Sequence, residues 1–375
     1  MESLILGTQL LLEITDLARS GAGVGRAADG RVVFVPFTAP GDRVRAQIVQ
    51  IDKRYAEADL IELIEPSSLR AQPPCPVFGR CGGCQWQHIP YKIQWQTKFK
   101  GVLHALSRVQ IELPAAQIME LPAEKVWNYR NRIQLRGEGD EIGYFAARSH
   151  DRVAIERCEI ARPELNAMIP HARDEGKKRE GAYKVELEVL PDGSTRSVWN
   201  SAHAAQGFRQ VHDEQNEKLR GWVREAVSPG RHVYDLFGGS GNLSTAVAGR
   251  ALNVDCVDVS APQGMRLPDF PQIRFHRSPV LSWTFRESRK TQKQGLSSAI
   301  LDPPREGLAN DQGKIATSLE KLGVTEIVAV GCDVDSWARD VSRFLKRGWK
   351  LERIAVLDLF PQTPHVESLA KLAVL

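Results

Sequence analysis

The sequence predicts a multi-domain chain of α+β and α/β class, and three changes of texture carry that prediction. Residues 1–66 alternate apolar and polar positions, 67–210 mix cysteines with helical and strand-like runs, and 211–375 alternate helices with short apolar strands. With 375 residues, 42% hydrophobic and 26% charged, the chain has room for several cored domains and the composition of a soluble globular protein.

The first segment reads as a small twisted β-barrel. Val32-Val-Phe-Val35, Val44 to Ile51 and Ala58 to Ile64 are its strands, broken by Gly21-Ala-Gly-Val-Gly25 and Pro40-Gly-Asp42. Such barrels commonly bind oligonucleotides. The opening stretch reaches Glu13 and Asp16 without a basic leader, and no run is long and apolar enough to span a bilayer, so cytoplasm is the expected compartment. A net charge of +4 permits a nucleic-acid partner without demanding one.

The central segment carries most of the chain's six cysteines. Three fall as Cys75-x5-Cys81-Gly-Gly-Cys84, and Cys158 stands well downstream. Four soft thiolates suit Zn2+ or an iron–sulfur cluster equally, and buried, inert thiols are a third reading. Zinc ribbons usually pair their ligands in two knuckles, whereas three crowded ligands plus a lone fourth lean toward a [4Fe–4S] cluster. A helical run from Tyr91 to Ser107 and strands at Arg132 to Arg136 and Tyr183 to Leu190 complete this region. Arg54, Tyr55, Trp86, Trp95, Lys98, Lys100, Tyr129, Arg130 and Arg132 are candidates for stacking bases and holding phosphates, although the same pattern describes an ordinary amphipathic surface.

In the last segment, Val233-Tyr-Asp235, Asn253 to Asp258, Ala299-Ile-Leu-Asp302 and Glu326 to Val330 imply a parallel sheet with crossover helices. The first of these strands runs into Gly238-Gly-Ser-Gly241 and a helix near Leu243. Glycines there admit a ligand to the carboxyl edge of the sheet. Asp235-x-x-x-Gly239-x-Gly241 is closer to an S-adenosylmethionine site than to a dehydrogenase fingerprint, and Asp258 ends the next strand where it would accept ribose hydroxyls. Asp302-Pro-Pro-Arg-Glu-Gly307 sets a stiff loop at the same edge, its two prolines offering no backbone donor. Cys332 follows Ile327 to Val330, and Phe360-Pro-Gln-Thr-Pro-His-Val-Glu367 is expected to place a carboxylate in the loop after a strand at Ile354 to Leu359. A lone strand-end cysteine is more often a small buried hydrophobe. Here it stands beside a methyl-donor motif and a carboxylate. That trio is what C5 methylation of uracil requires, because C5 becomes nucleophilic only after a thiolate adds at C6, and a base must then take the C5 proton.

Taken together, Cys-x5-Cys-Gly-Gly-Cys, Tyr129-Arg-Asn131, Phe208-Arg-Gln-Val211, Asp235-Leu-Phe-x-Gly-x-Gly-Asn242, Asp302-Pro-Pro-Arg-x-Gly307 and Phe360-Pro-x-Thr-x-His-Val-Glu367 make the chain resemble the RNA uracil-C5 methyltransferases that carry a TRAM domain and an iron–sulfur centre. The resemblance implies an OB-like TRAM barrel over 1–66, a central iron–sulfur domain over 67–210, part of which (about 91–122) packs with the last domain, and a class I, Rossmann-like methyltransferase domain over 211–375. It implies a [4Fe–4S] cluster on Cys75, Cys81, Cys84 and Cys158, and S-adenosylmethionine bound among Gln210, Phe237, Asn242, Asp258 and Asp302. Cys332 would be the nucleophile and Glu367 the base. The implied partner is RNA, 23S rRNA foremost and tRNA as the alternative, with no membrane association, and the chain is expected to be a monomer. A cluster-bearing RNA-binding or ribosome-assembly factor without activity is the rival outside enzymes.

Several positions depart from the family pattern. The nucleophile loop usually reads Ser-Cys-Asn-Pro and here reads Gly331-Cys332-Asp333-Val334, so a looser loop and a less acidic thiol are expected. Asp258 stands where the family has glutamate, His212 where it has asparagine, and the match fades around Ser278 and Pro279.

Overall fold

The computed structural model describes residues 4–201, 209–262, 264–290 and 296–374. Two compact units divide the chain. One comprises Met1–Lys100, Glu124–His203 and Phe360–Pro364, the other Gly101–Ala123, Ala204–Leu359 and His365–Leu375.

The first unit opens with β1 (Gln9–Glu13), β2 (Asp16–Leu17), β3 (Gly23–Arg26), β4 (Val32–Val35), β5 (Arg43–Ile51) and β6 (Tyr55–Glu65), in the order β1-β5-β6-β4-β3-β2. Register shifts between β5 and β6 mark bulges, which bend a strand and increase its twist. The alternation seen in the sequence is realised: Val33, Val35, Val44, Ala46, Ile48, Ala56 and Ala58 point into one core. Helix α1 (Tyr91–Arg108) follows, then β7 (Ile118–Leu121), which belongs to the second unit's sheet.

The first unit continues with β8 (Arg132–Glu138), β9 (Glu141–Phe145), β10 (Arg152–Ala154), helix α2 (Pro163–Lys177), β11 (Ala182–Val189) and β12 (Thr195–Trp199). These strands form an antiparallel sheet ordered β10-β9-β8-β11-β12. Ile133, Leu135, Val185 and Leu187 pack with Leu165 and Ile169 of α2, and Cys75, Cys81 and Cys158 sit at the margin of that core.

The second unit holds α3 (Asp213–Ala226), β13 (His232–Leu236), α4 (Asn242–Val247), β14 (Asn253–Asp258), β15 (Ile273–Arg277), α5 (Val280–Lys290), β16 (Ser297–Leu301), α6 (Gln312–Lys321), β17 (Val324–Gly331), α7 (Val334–Leu345), β18 (Lys350–Leu357) and β19 (Glu367–Ala373). The sheet order is β15-β14-β13-β16-β17-β19-β18-β7. From β15 to β17 every pairing is parallel, and β19 inserts antiparallel between β17 and β18. The order runs outward from β13 in both directions, which puts a topological switch point at the carboxyl ends of β13 and β16.

One sequence expectation is corrected here. Glu367 does not sit in a loop; it is the first residue of β19 and is buried. That strand escaped notice because a central strand normally reads as an apolar run, whereas Glu367, Ser368 and Lys371 interrupt this one.

Candidate functional site

At the end of β13 the chain turns through Phe237, Gly239 and Gly241, all with positive φ (65°, 55° and 88°). A Cβ on Gly239 would meet nothing within 4 Å, so this glycine serves the backbone conformation and leaves open space above it. Asp235 is fully buried below the turn. Its Oδ2 accepts from Ser244 Oγ at 2.5 Å, and its Oδ1 has no hydrogen-bond partner among the described residues. Burial pushes its carboxyl up to about 6, against the Ser244 hydrogen bond. Asn242, at the start of α4, exchanges amide hydrogen bonds with Asn216 (2.8 and 3.1 Å) and is also held by Arg220. Asn216 and Arg220 lie on α3 and carry no local signal that would have singled them out. Asp258 ends β14, where its Oδ1 accepts from both the amide and the hydroxyl of Ser260 at 2.6 Å. Gln210 is buried just ahead of α3. Phe208 lies outside the described residues.

The second cluster of predicted residues meets at the same edge. Burial raises the Asp302 carboxyl well above the usual range, and the charges of Asp235 and Asp258 raise it further. Glu367 is raised by burial and by Asp302, with Arg305 pulling the other way. Cys332 is pushed up to about 12 by burial, then by Glu367 and Asp302, again opposed by Arg305. Cys332, Glu367, Asp302 and Arg305 therefore act on one another, and Asp302 ties this group to Asp235 and Asp258. An apolar pocket lined by Leu301, Pro303, Pro304, Cys332, Trp337 and Phe344 adjoins the thiol.

Helix α7 holds the proline loop in place. Ser336 Oγ donates to the Arg305 carbonyl at 2.7 Å, Arg339 Nη2 to that of Glu306 at 2.7 Å, and Asp340 Oδ2 accepts from the Leu308 amide at 2.6 Å. Two expectations for the nucleophile loop change. Asp333 is the N-cap of α7, its Oδ1 accepting from the Ser336 amide at 2.9 Å, and the carboxylates that raise Cys332 are Glu367 and Asp302. The loop is accordingly anchored without its proline, because the cap performs that task. Gly331 has its own cause, since a Cβ there would stand 2.7 Å from Cβ of Trp337.

In the first unit one cavity is lined by all four predicted ligands, Cys75, Cys81, Cys84 and Cys158, together with Tyr144 and Arg130. Burial raises the thiols of Cys75, Cys81 and Cys84, Cys81 to about 11 and Cys84 to about 12, and each of the three is raised further by Cys158. The Gly83 amide donates to Cys81 Sγ at 3.4 Å, and Arg130 Nε, beside the cavity, has no hydrogen-bond partner among the described residues. No three His, Cys, Asp or Glu side chains among the described residues are grouped as ligands of a single metal ion.

The predicted RNA-contacting set is largely overturned. Trp86, Trp95, Lys98, Tyr129 and Arg132 are buried. Trp86 Nε1 donates to the Gly21 carbonyl at 2.9 Å, and Arg132 is paired with Glu188 at 2.8 Å. The Trp86 indole and the Arg132–Glu188 pair are engaged inside the protein, so interleaved aromatic and basic residues here describe a core with polar anchors. Arg54 and Lys100 remain exposed, Lys100 paired with Asp16 at 2.8 Å, while Tyr55 is half-buried against Phe34.

Residues 5–61 match the TRAM domain. Over 99% of its length the chain is 32% identical to an uncharacterized RNA methyltransferase of Bdellovibrio bacteriovorus, of which it covers 96%. It is 28% identical to the 23S rRNA (uracil(1939)-C(5))-methyltransferase RlmD of Pectobacterium atrosepticum, over 96% of this chain and 93% of that one. The crystal structure of Pyrococcus abyssi tRNA (uracil-54, C5)-methyltransferase with S-adenosyl-L-homocysteine shares the fold, with a TM-score of 0.72 at 23% identity over 97% of this chain and all of that one. Among the described residues no helix is long and apolar enough to cross a membrane. With near full-length relatives and an N-terminal match agreeing, the chain belongs to the TRAM-domain RNA (uracil-C5)-methyltransferase family.

Proposed function

We propose that the chain methylates C5 of a uridine in 23S rRNA, with Cys332 as nucleophile and Glu367 as base. The observation that carries this reading is the mutual electrostatic influence of Cys332, Glu367 and Asp302 at the carboxyl edge of the sheet. The ribosomal target rests on the relative named for uracil 1939 of 23S rRNA. Residues 1–66 would bind the RNA, 67–210 would carry the cluster and 211–375 the methyl-transfer chemistry, as the sequence divides them.

Gln210, Phe237, Asn242, Asp258 and Asp302 would hold S-adenosylmethionine, which supplies the methyl group as an electrophile. The open space over Gly239 and the unpartnered Asp235 Oδ1 are consistent with a polar ligand at this turn. Cys332 would add as a thiolate to C6 of the flipped-out base, making C5 nucleophilic. After methyl transfer, Glu367 takes the C5 proton and the electron pair of the C–H bond expels the thiolate. A buried carboxyl with a raised pKa suits that role, since it accepts a proton readily once ionised. Arg305, which favours the ionised forms of both Cys332 and Glu367, offsets their burial.

A [4Fe–4S] cluster would be held by Cys75, Cys81, Cys84 and Cys158. The donor set fits: four soft thiols on one cavity, an amide aimed at Cys81 Sγ, and the Arg130 guanidinium beside them to balance an anionic centre.

Nucleoside mass spectrometry of ribosomal and transfer RNA, from cells with and without this gene, tests the reading. Loss of one 5-methyluridine from 23S rRNA is expected. Loss from tRNA alone moves the target, and no change in either refutes the activity.

A further inference from the structure

The second unit is interrupted at Phe360–Pro364, where the chain joins the first unit before returning at His365. This excursion is densely held. Gln94, fully buried on the first turns of α1, donates through Nε2 to Gln362 Oε1 at 2.9 Å and to the carbonyls of Trp86 and Ile89 at 3.0 and 2.7 Å. Its Oε1 accepts from the Gln362 amide at 3.0 Å. The Gln362 carbonyl accepts from the amides of Gln85 and Trp86 at 3.0 and 3.1 Å, directly after Cys84 in the chain. One helical turn on from Gln94, buried Lys98 donates Nζ to the Phe360 carbonyl at 3.1 Å, and Tyr129 donates its hydroxyl to Pro361 at 3.0 Å.

Gln362 itself has a φ of 69°, a conformation non-glycine side chains adopt only when the surroundings enforce it. Outliers of this kind collect near functional sites. Here only His365 and Val366 separate Pro364 from Glu367, and Glu367 opens β19 opposite Leu357 of β18. The clamped residues thus lie in the chain segment that connects β18 to β19, and Glu367 follows Pro364 by three residues.

We propose that Gln94 is a positioning residue for the carboxylate of Glu367, acting through Gln362. The inference rests on Glu367 being the base. An apolar filler of the same volume would serve packing but not the Trp86 and Ile89 carbonyls or the Gln362 amide, which Gln94 also bonds. A single amide that satisfies both the backbone and the side chain of a left-handed turn residue instead fixes where that turn lies. Loosening it leaves Cys332 and the methyl-donor turn untouched, so thiolate addition and methyl transfer continue while proton removal from C5 slows.

The experiment compares full-length wild type, Gln94→Leu, Gln362→Gly and Glu367→Gln on an rRNA transcript with S-adenosylmethionine. Gln362→Gly relieves the backbone constraint without burying an unpartnered group, which protects the test if Gln94→Leu does not fold. Turnover, KM for RNA, covalent protein–RNA species on denaturing gels and hydrogen exchange at the Gln362 amide are read together. Both clamp variants are expected to lower kcat about tenfold with KM within about twofold, to accumulate methylated adduct as Glu367→Gln does, and to exchange the Gln362 amide faster. Folded clamp variants that release product at the wild-type rate while Glu367→Gln traps adduct overturn the proposal alone. Parallel loss of adduct formation and methylation also overturns it, since that marks a merely structural role. Normal turnover by Glu367→Gln overturns the base assignment and the proposal with it.

Discussion

At the scale of single residues, the site is governed by buried charge more than by hydrogen bonds. Glu367 and Asp302 raise the Cys332 thiol and Arg305 lowers it, so removing either kind of neighbour moves its ionisation in opposite directions. Glu367→Gln should move the pH midpoint of Cys332 alkylation downward and Arg305→Ala upward. A midpoint displaced by about one pH unit changes the thiolate fraction at lower pH about tenfold. Alkylation of Cys332 followed by peptide mass spectrometry across pH checks both signs, and midpoints that move in the same direction would refute this electrostatic account. Asp333 behaves differently because its carboxylate caps α7. Asp333→Ala should cost about 1 kcal/mol of stability, the usual worth of an N-cap. A denaturant melt measures that cost, and the alkylation midpoint of Cys332 should stay close to the wild-type value.

At the scale of elements, β17, the nucleophile loop and α7 fit together through Gly331 and Trp337. Trp337 packs where a Gly331 side chain would stand, and its indole donates to the Ala329 carbonyl at 3.2 Å. Gly331→Ser, which restores the family's usual residue, should therefore destabilise this chain by roughly 1–3 kcal/mol through overpacking. Thermal melts of Gly331→Ala and Gly331→Ser against wild type check this, both being expected to lose stability because the added Cβ alone meets Cβ of Trp337. The parallel strands β13, β14, β16 and β17 were legible because each carries a short apolar run close to a glycine, a proline or an acidic residue, whereas β15, with Arg274, His276 and Arg277 in its five residues, was not. Of the barrel strands, β4, β5 and β6 were legible because alternation of period two survives in a sheet with one buried face, whereas β3 lies in the glycine run that reads as a break. What escaped was non-local. β19 is a central strand that carries buried Glu367 and Ser368 together with Lys371, the last paired with Glu326 and Glu352, and the Gln94 to Gln362 clamp joins glutamines far apart in the chain. Trp86, Lys98 and Tyr129 misled for the same reason, since burial of a polar-tipped side chain depends on a distant carbonyl that receives it.

At the scale of the whole molecule, an inorganic centre and a methyl-transfer site would reside in one chain. Anaerobically purified protein should be brown and contain iron and acid-labile sulfide. Cys75→Ser should lose both and destabilise the first unit more than it weakens S-adenosylmethionine binding. Metal analysis with calorimetry of donor binding checks this, and colourless protein holding one zinc would contradict it. The central claim is that Cys332 adds to uracil before the methyl group moves to C5. It is tested most directly by intact mass spectrometry of protein incubated with rRNA and S-adenosylmethionine, then digested with nuclease. Glu367→Gln should carry a methylated uridine nucleotide on the Cys332 peptide, and Cys332→Ala should show neither adduct nor methylated RNA. Methyl transfer that survives in Cys332→Ala, or a methyl group found on a nitrogen or a ribose oxygen, would contradict it.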